Sequence, residues 1–362
     1  MRWGGAIIRG MGRDDFLRRL GIRHPIIQAP MAGVSTPRLA AAVSQAGGLG
    51  SISIGAATVD QAERMIAETR ALTALPFNVN VFCHAPAVRD VGRESGWLAH
   101  LAPLFRQVDA EPPTALEEIY RSFLADEDML GLLLAARPAV VSFHFGLPDA
   151  DWIGAMREAD IVTIATATNL HEAEMIGAAG VDAIVAQGIE AGGHRGMFDP
   201  DADDERLDTA SLVRLLMENS GLPVIAAGGI MDGRGIRAAL DEGAAAAQLG
   251  TAFIACPESS ASAAYRRRLL GAGTGETLLT SVISGRPARG FPNGLTRHAD
   301  IPASPPVPAY PVAYDAAKQL HATALVSGSD SFAVQWAGTG AAHARGLPAA
   351  ELMAALVREL EG

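Results

Sequence analysis

The apolar positions along the chain repeat one unit, in which a short β-branched segment, a turn and an amphipathic helix follow one another. Short apolar segments rich in β-branched residues are typical of buried strands, and apolar residues three or four apart are typical of helices. Eight strands are predicted, over residues 25–31, 49–54, 77–82, 139–145, 161–166, 181–186, 223–227 and 244–249. Helices are predicted after them, over residues 37–45, 59–72, 152–159, 170–179, 209–219, 235–242 and about 260–270.

This order of elements predicts the fold class. Successive parallel strands need crossover connections, and eight strand–helix units close into a barrel. We therefore predict an α/β protein with a (β/α)8 TIM barrel. An open doubly wound sheet is the weaker alternative, because no Gly-x-Gly-x-x-Gly follows the first strand, where a dinucleotide-binding fold would place it.

Two segments fall outside the repeat. Residues 84–137, after the third strand, are too long for one connection and are predicted as a helical insertion, with helices over 97–108, 116–124 and 127–136. After the eighth unit, a proline-rich stretch precedes helices predicted over 314–327, 332–336 and 349–360. We predict an N-terminal tail (1–13), a barrel (14–275) and a C-terminal extension (276–362) that packs at the barrel mouth.

Composition and charge narrow the class of protein. A hydrophobic fraction of 49% with only 19% charged residues indicates a compact globular protein, and no apolar stretch approaches membrane-spanning length. A net charge of −11 argues against nucleic acid or anionic membranes as partners. The two cysteines, Cys83 and Cys256, have no metal-ligand spacing, so we expect a reducing cytoplasm. We expect a monomer or homodimer.

The candidate chemistry begins with a glycine-rich loop over residues 187–196, directly after the sixth strand. Such a loop lets the backbone approach a ligand closely, and His194 adds one titratable imidazole. The competing interpretation is a flexible connection in which His194 is incidental.

The active-site residues of a (β/α)8 barrel lie at the carboxyl ends of its strands, which we call the barrel rule. The loop follows the sixth strand directly, so this rule favours a functional role for it. Those ends carry Gln28, Ala29, Pro30, Met31, Ser53, Asn80, His144, Thr166, Gln187, His194, Gly228, Gly229, Gln248, Gly250 and Thr251. The set has no cluster of carboxylates, so we predict no metal site and no glycosidase pair.

The glycines after strands seven and eight indicate a phosphate site. Residues 227–230 and 248–251 supply bare amides and a hydroxyl where barrels commonly bind phosphate. The alternative is that these glycines only turn the chain. With a phosphate at this rim, the rest of the barrel mouth has room for a flat group such as a flavin. The edge of a flavin ring carries both hydrogen-bond donors and acceptors, which suits the side-chain amides of Gln187 and Asn80.

Nine motifs, in chain order, resemble the class I nitronate monooxygenases, formerly called 2-nitropropane dioxygenases. They are PIIQAPM (25–31), PFNVNVFCH (76–84), VSFHFGLP (141–148), DAIVAQGIEAGGHRG (182–196), AAGGIMDGRGIRAAL (226–240), QLGTAF (248–253), SGRPARG (284–290), YPVAYDAAKQL (310–320) and QWAG (335–338). The resemblance implies an FMN-dependent barrel that oxidises alkyl nitronates, such as propionate 3-nitronate, with O2 to a carbonyl compound and nitrite. It also implies single-electron transfer to the flavin.

The resemblance also implies roles for particular residues. His194 matches the catalytic histidine. The matches to FMN contacts are Ala29, Pro30, Met31, Asn80, Gln187, Gly192, Gly193, Gly228, Gly229, Gln248, Leu249, Gly250 and Thr251. The matches to the substrate pocket are His144, Tyr310, Tyr314 and Lys318, of which the last three need the C-terminal extension to fold over the barrel mouth.

Two other functions stay open at this point. An FMN-dependent NAD(P)H:quinone or enoyl reductase would share the same flavin site and differ in consuming reduced nicotinamide. A flavin-binding or metabolite-sensing protein would keep the barrel without catalysis, which the presence of His194 disfavours. For His194 itself, a base acting on a neutral nitroalkane and an electrostatic aid to a nitronate anion are both chemically reasonable.

Overall fold

The structure is a computed structural model that describes residues 11–271 and 275–362. The strands are β1 (Ile26–Gln28), β2 (Gly50–Ser53), β3 (Phe77–Phe82), β4 (Val140–His144), β5 (Val162–Ala167), β6 (Ala183–Gln187), β7 (Gly193–His194), β8 (Val224–Ala227), β9 (Ala246–Leu249), β10 (Leu278–Thr280) and β11 (Ala288–Gly290). Residues 1–10 of the predicted tail lie outside the described residues.

The helices alternate with the barrel strands and then form the C-terminal part. They are α1 (Arg13–Leu20), α2 (Pro37–Gln45), α3 (Val59–Leu72), α4 (Val91–Arg106), α5 (Glu127–Ala136), α6 (Ala150–Glu158), α7 (Leu170–Ala179), α8 (Thr209–Asn219), α9 (Gly233–Asp241), α10 (Thr251–Ile254), α11 (Ala263–Leu270), α12 (Gly294–Ala299), α13 (Val312–Val326) and α14 (Ala349–Glu361). Among the described helices, none is long and apolar enough to cross a bilayer.

Eight parallel strands form the barrel, in the order β1-β9-β8-β6-β5-β4-β3-β2. A parallel bridge between Ile27 and Leu49 joins β1 to the start of β2, with the Gln28 amide donating to the Leu49 carbonyl at 2.9 Å. The predicted TIM barrel is therefore confirmed. Phe16 and Leu20 of α1, which the sequence pattern did not predict, pack against the apolar side chains of these strands.

Local sequence explains why the barrel helices begin where they do. The Thr36 hydroxyl accepts from the Leu39 amide, and Pro37 takes the first helical position of α2. Such a cap pairs an otherwise unsatisfied amide, and proline at the first helical position gives up no hydrogen bond. Thr58 and Gln61 form a reciprocal capping box at the start of α3.

The described C-terminal residues contribute both to the barrel wall and to its mouth. α14 packs against α2 and α9, and the Gly233 amide at the start of α9 donates to Glu359 at 2.9 Å. α12 and α13 pack with α4 of the insertion in a second apolar core. The insertion and the extension therefore meet over the barrel, while the division at residue 275 stays a prediction.

Two predicted helices did not form. Residues 116–122 are irregular and lead into a 3-10 turn at Phe123–Ala125, and the Glu117 amide of this segment donates to Asp315 of α13. Residues 332–336 are also not helical. The Phe291 amide donates to the Gln335 carbonyl, and Trp336 makes an antiparallel bridge to Gly290. Both segments therefore take their pairing from distant parts of the chain.

Gly50 tests the close packing of α2 on the barrel. A Cβ atom at Gly50 would lie 1.9 Å from the Ala40 carbonyl oxygen, which is rigid helix backbone. We expect Gly50→Ala to lower the free energy of unfolding by about 1–3 kcal/mol or more. Gly96→Ala in α4 is the control, since a Cβ there meets nothing within 4 Å and alanine favours the helix by about 0.5–1 kcal/mol. Denaturant titration measures both, and equal stability of the two variants would contradict the packing.

Candidate active site

A cavity of about 640 Å³ opens at the carboxyl ends of the barrel strands. It is lined by residues of the barrel loops, of the insertion and of the C-terminal part. Predicted residues that line it are Ala29, Pro30, Met31, Asn80, His144, Gln187, Gly192, Gly193, His194, Gly228, Gly229, Gln248, Gly250, Thr251, Tyr310, Tyr314 and Lys318. Leu249 does not line it, because its side chain is 1% exposed and packs in the core, while its carbonyl accepts from the Ala29 amide.

The glycine-rich loop is held in place by the C-terminal part. Gly193 and His194 form β7, which pairs antiparallel with β11 through His194 and Ala288. Gly192 lies against the next layer, since a Cβ atom there would be 2.5 Å from the Ala337 carbonyl carbon and the Gly338 nitrogen. The loop is therefore an ordered strand edge, and the interpretation of a loose connection does not describe it.

Arg195 stabilises the same loop through an ion pair and two backbone hydrogen bonds. Its guanidinium is 1% exposed and forms a bidentate ion pair with Asp204, at 2.8 and 2.9 Å. Its Nη1 also donates to the backbone carbonyls of Gln187 and Gly188, at 2.8 and 3.1 Å. The sequence showed an arginine in the loop but no role for it, because its carboxylate partner, Asp204, lies outside the loop.

The His194 imidazole borders the cavity inside an aromatic cage. Its Nε2 lies 2.9 Å from the Ser284 hydroxyl. The rings of Trp336, Tyr310 and Phe145 lie 5.1–5.7 Å from it, centroid to centroid. Burial, and then the nearby His144 and Arg286, lower the pKa of His194 to about 3. A neutral imidazole can accept a proton, which a general base must do.

His144 supports His194 through its backbone. The His144 Nε2 lies 3.3 Å from the His194 carbonyl oxygen, and its Nδ1 lies 3.2 Å from the Thr166 hydroxyl. Because a carbonyl only accepts, Nε2 carries the proton and Nδ1 accepts from Thr166. Burial lowers the pKa of His144 to about 4, so it too is neutral. Both ring nitrogens are thus engaged with protein, while the ring itself borders the cavity.

Three amide side chains test whether the cavity suits a flavin. Asn80 donates to Ser142 and accepts from Ser53, and Gln187 donates to the His194 carbonyl and accepts from the Gly196 amide. The Gln248 amide lines the cavity and makes no hydrogen bond to any other residue that the structure describes. A side-chain amide free to donate and accept fits the mixed polar edge of a flavin ring.

The rim formed by β8 and β9 suits an anion such as a phosphate. Gly228 and Gly229 adopt positive φ angles of 133° and 69°, which bring bare backbone to the cavity wall. Thr251 accepts from the Gly338 amide through its hydroxyl oxygen, and no residue that the structure describes accepts its proton, which leaves that proton available for a ligand. The residues present therefore fit a phosphorylated flavin, as their chemistry and positions predict.

The C-terminal part forms an aromatic wall with two cations, together with Tyr120 of the insertion and Phe145 after β4. Lys318 Nζ lies 4.9 Å from the Tyr120 ring centroid and 5.4 Å from that of Tyr314. Arg286 is buried behind the cavity wall, with its guanidinium carbon 4.4 Å from the Phe145 ring centroid. Cations near aromatic faces are stabilised, and both can attract an anionic ligand.

Sequence reasoning missed several residues of this wall: Tyr120, Phe145, Ser284, Arg286 and Trp336. Four of them lie outside the predicted strands, where the barrel rule gives no position, and Phe145 is the last residue of the predicted fourth strand. The only sequence signal for four of them was that they belong to the motifs that carried the family resemblance. Tyr120 lies outside those motifs.

Three histidines whose pKa values are strongly lowered predict a loss of stability in mild acid. Burial lowers the pKa values of His84 and His144 to about 4 and that of His194 to about 3, from an ordinary 6.5. Below pH 6.5 the unfolded chain therefore binds protons that the folded chain does not. Each histidine then removes up to about 1.4 kcal/mol of unfolding free energy per pH unit as the pH falls from 6.5 toward 4.

Denaturant titrations at pH 7.5, 6.0 and 5.0 measure this effect, above the range in which most carboxylates titrate. We expect His84→Leu to reduce the slope, since one of the large contributions to it is removed. A free energy of unfolding that is flat or rises between pH 6.5 and 5.0 would contradict the neutral state of these histidines.

The chain is similar to known proteins over nearly its whole length. The model of the nitronate monooxygenase family matches residues 15–359. A nitronate monooxygenase of Pseudomonas aeruginosa is 57% identical over 349 residues, covering 96% of this chain and 99% of that protein. One of Paraburkholderia phytofirmans is 59% identical over 350 residues, covering 97% and 96%.

Solved structures agree. Nitroalkane oxidase from Streptomyces ansochromogenes superposes with a TM-score of 0.88 at 39% identity, covering 95% of this chain and 98% of that one. FabK from Thermotoga maritima superposes with a TM-score of 0.71 at 28% identity, covering 95% and 94%. The match over nearly the whole chain, together with the identity to full-length relatives, shows that this enzyme belongs to the nitronate monooxygenase family of oxidoreductases.

Proposed function

We propose that the protein is an FMN-dependent nitronate monooxygenase, which oxidises alkyl nitronates of the propionate 3-nitronate type with O2 to a carbonyl compound and nitrite. Its family and its relatives' names support the reaction class. The observation that carries the proposal is His194, a neutral imidazole held by Ser284 at the wall of a cavity that also carries the free amide of Gln248.

The cofactor contacts are proposed on the cavity wall. FMN would be held by Ala29, Pro30, Met31, Asn80, Gln187, Gly192, Gly193, Gly228, Gly229, Gln248, Gly250 and Thr251, which all line the cavity. Leu249 is left out of this set because its side chain packs in the core. Bare amides and the Thr251 hydroxyl suit the phosphate of FMN. When bound, FMN would supply a redox group that can accept electrons one at a time from a nitronate.

The substrate contacts are proposed on the part of the cavity wall that carries the two histidines and the C-terminal residues. A nitronate is an anion, which hydrogen-bond donors and cations stabilise in a site shielded from water. Tyr310 and Tyr314 keep their hydroxyl protons, because burial raises the pKa of both phenols, so each can donate. Lys318 adds a positive charge at the mouth, and His144 borders the cavity with its ring. His194 orients the nitronate, or takes the proton from a neutral nitroalkane.

A purified sample tests the proposal. We expect a yellow protein that releases FMN on denaturation, consumes O2 and forms nitrite when propionate 3-nitronate is added. The oxidation of NADH without nitronate should be negligible. Fast NADH-dependent reduction of a quinone, with no turnover of nitronate, would instead identify the FMN-dependent quinone or enoyl reductase. Light scattering on the same sample tests the expectation of a monomer or homodimer.

The cofactor and the electron path need separate measurements. Mass spectrometry of the released cofactor distinguishes FMN from other flavins. Anaerobic titration with propionate 3-nitronate, followed by visible absorption, tests single-electron transfer. A direct two-electron bleaching of the flavin, with no one-electron spectrum, would contradict that part of the proposal.

A further inference from the structure

The hydroxyl of Ser284 has three hydrogen-bonding neighbours and a single proton to donate. Ser284 is 0% exposed, and its Oγ lies 2.9 Å from His194 Nε2. The same oxygen lies 3.2 Å from the Arg286 carbonyl oxygen and 3.4 Å from the Arg286 amide nitrogen. The amide can only donate and the carbonyl can only accept, so the imidazole is the one neighbour that can do either.

This leaves two arrangements of the hydroxyl proton. In the first, Ser284 donates to the Arg286 carbonyl and accepts from a protonated Nε2, so that the Nδ1 of His194 holds a lone pair. In the second, Ser284 donates to Nε2, so that Nδ1 holds the proton. A neutral imidazole carries one proton, and the direction of the hydroxyl therefore decides which nitrogen carries it.

The Nδ1 atom is the part of His194 that remains for a ligand. It makes no hydrogen bond to any residue that the structure describes, and the ring borders the cavity. The buried guanidinium of Arg286, behind Phe145, opposes a second positive charge nearby. His194 thus waits in the neutral state, with a tautomer that the protein can select.

The turn that carries Ser284 is rigid. Gly285 adopts a φ of +88°, and a Cβ atom there would lie 2.4 Å from the Pro308 carbonyl oxygen. Its amide also donates to the Ser281 carbonyl at 2.8 Å. The hydroxyl oxygen is therefore fixed in position, while its proton can rotate between two acceptors.

We propose that Ser284 is a positioning residue that sets the tautomer of His194, so that Nδ1 serves as base toward a neutral nitroalkane and as donor toward a nitronate. The proposal rests on the proposed function and extends it to neutral nitroalkanes. The proton of the α-carbon passes to Nδ1, and the C–H electron pair stays on the substrate as the nitronate. The imidazolium then donates through Nδ1 to the anion and through Nε2 to Ser284.

Ser284→Ala removes the hydroxyl without adding volume. We expect kcat for nitroethane to fall about 10-fold to 100-fold, as with residues that orient metal-ligating histidines. KM should change little, and turnover of the pre-formed ethyl nitronate should fall less than about 3-fold, because that anion needs no base. Ser284→Thr keeps a hydroxyl and should restore turnover. Ser281→Ala, in the same segment, is the matched control and should behave as the wild type.

A spectroscopic readout on the unmodified holoenzyme keeps the test independent of how variants fold. With ¹⁵N-labelled histidine, assigned by comparison with His194→Asn, the nitrogen shifts report which atom carries the proton. We expect His194 to be neutral at pH 7. The ratio of its two tautomers should change when a nitronate binds to the wild type. The same ratio should differ between ligand-free Ser284→Ala and the ligand-free wild type.

Several outcomes would overturn the proposal. These are a His194 with both nitrogens protonated at pH 7, an unchanged tautomer ratio in Ser284→Ala, and equal losses with nitroethane and ethyl nitronate. If the wild type oxidises neither substrate, the proposed function fails, whereas the tautomer measurement still decides whether Ser284 controls His194.

Discussion

Replacing His194 with Asn is expected to lower kcat/KM for a neutral nitroalkane by about 10²-fold to 10⁴-fold, the usual contribution of a general base. Asparagine keeps a polar group beside Ser284 but cannot accept a proton at neutral pH. The loss with a pre-formed nitronate should be smaller, because only hydrogen bonding to the anion is removed. Oxygen consumption with nitroethane and with ethyl nitronate measures both rates.

The cofactor should survive this substitution, since the proposed flavin contacts lie on other residues of the cavity wall. The visible spectrum and the ratio of flavin to protein check this. His343→Asn is the control, because His343 is an exposed histidine on the 3-10 turn Ala341–His343. Unchanged turnover of nitroethane in His194→Asn would show that another group takes the proton.

The second large effect is expected on stability, from Asp204→Asn. This change leaves the guanidinium of Arg195 buried beside a neutral amide, where it faces a bidentate carboxylate in the wild type. Removing one partner of a buried ion pair costs about 3–5 kcal/mol, since the remaining charge is neither solvated nor compensated. Denaturant titration should show this loss, together with weaker flavin retention, because Arg195 also holds the carbonyls of Gln187 and Gly188.

An exposed pair provides the comparison. Arg214 and Glu242 lie 2.9 Å apart, with side chains 50% and 34% exposed. Because water solvates both charges, Arg214→Met should cost less than about 1 kcal/mol. Equal losses from Asp204→Asn and Arg214→Met would mean that the Arg195 pair does not anchor the loop.

His194→Asn and Asp204→Asn separate the catalytic role of the loop from the interactions that hold it in place. His194→Asn removes a proton acceptor from the cavity and leaves the loop in place. Asp204→Asn leaves the acceptor and loosens the backbone that presents it. The antiparallel pairing of His194 with Ala288 explains why both the barrel and the C-terminal part are needed for one imidazole.

The chain sequence by itself determined the barrel. Short strand segments rich in β-branched residues alternate with segments of helical spacing, so the pattern is local and can be recognised in the sequence. It also determined most of the rim, because parallel strands bring their carboxyl ends together in any closed barrel. Gly229, Gln248 and His194 line the cavity as that rule predicts.

Only the tertiary structure decided what surrounds those residues. The predicted helices over 116–124 and 332–336 were wrong, because their backbone groups pair with Asp315 and Phe291, far away in the chain. Likewise, Ser284 lies 90 residues after His194, and Arg195 needs Asp204 to be stable in the interior. Such contacts depend on packing between distant segments, which no local periodicity encodes. The sequence therefore determined where the imidazole lies, and tertiary packing decided that it is neutral and which atoms hold it.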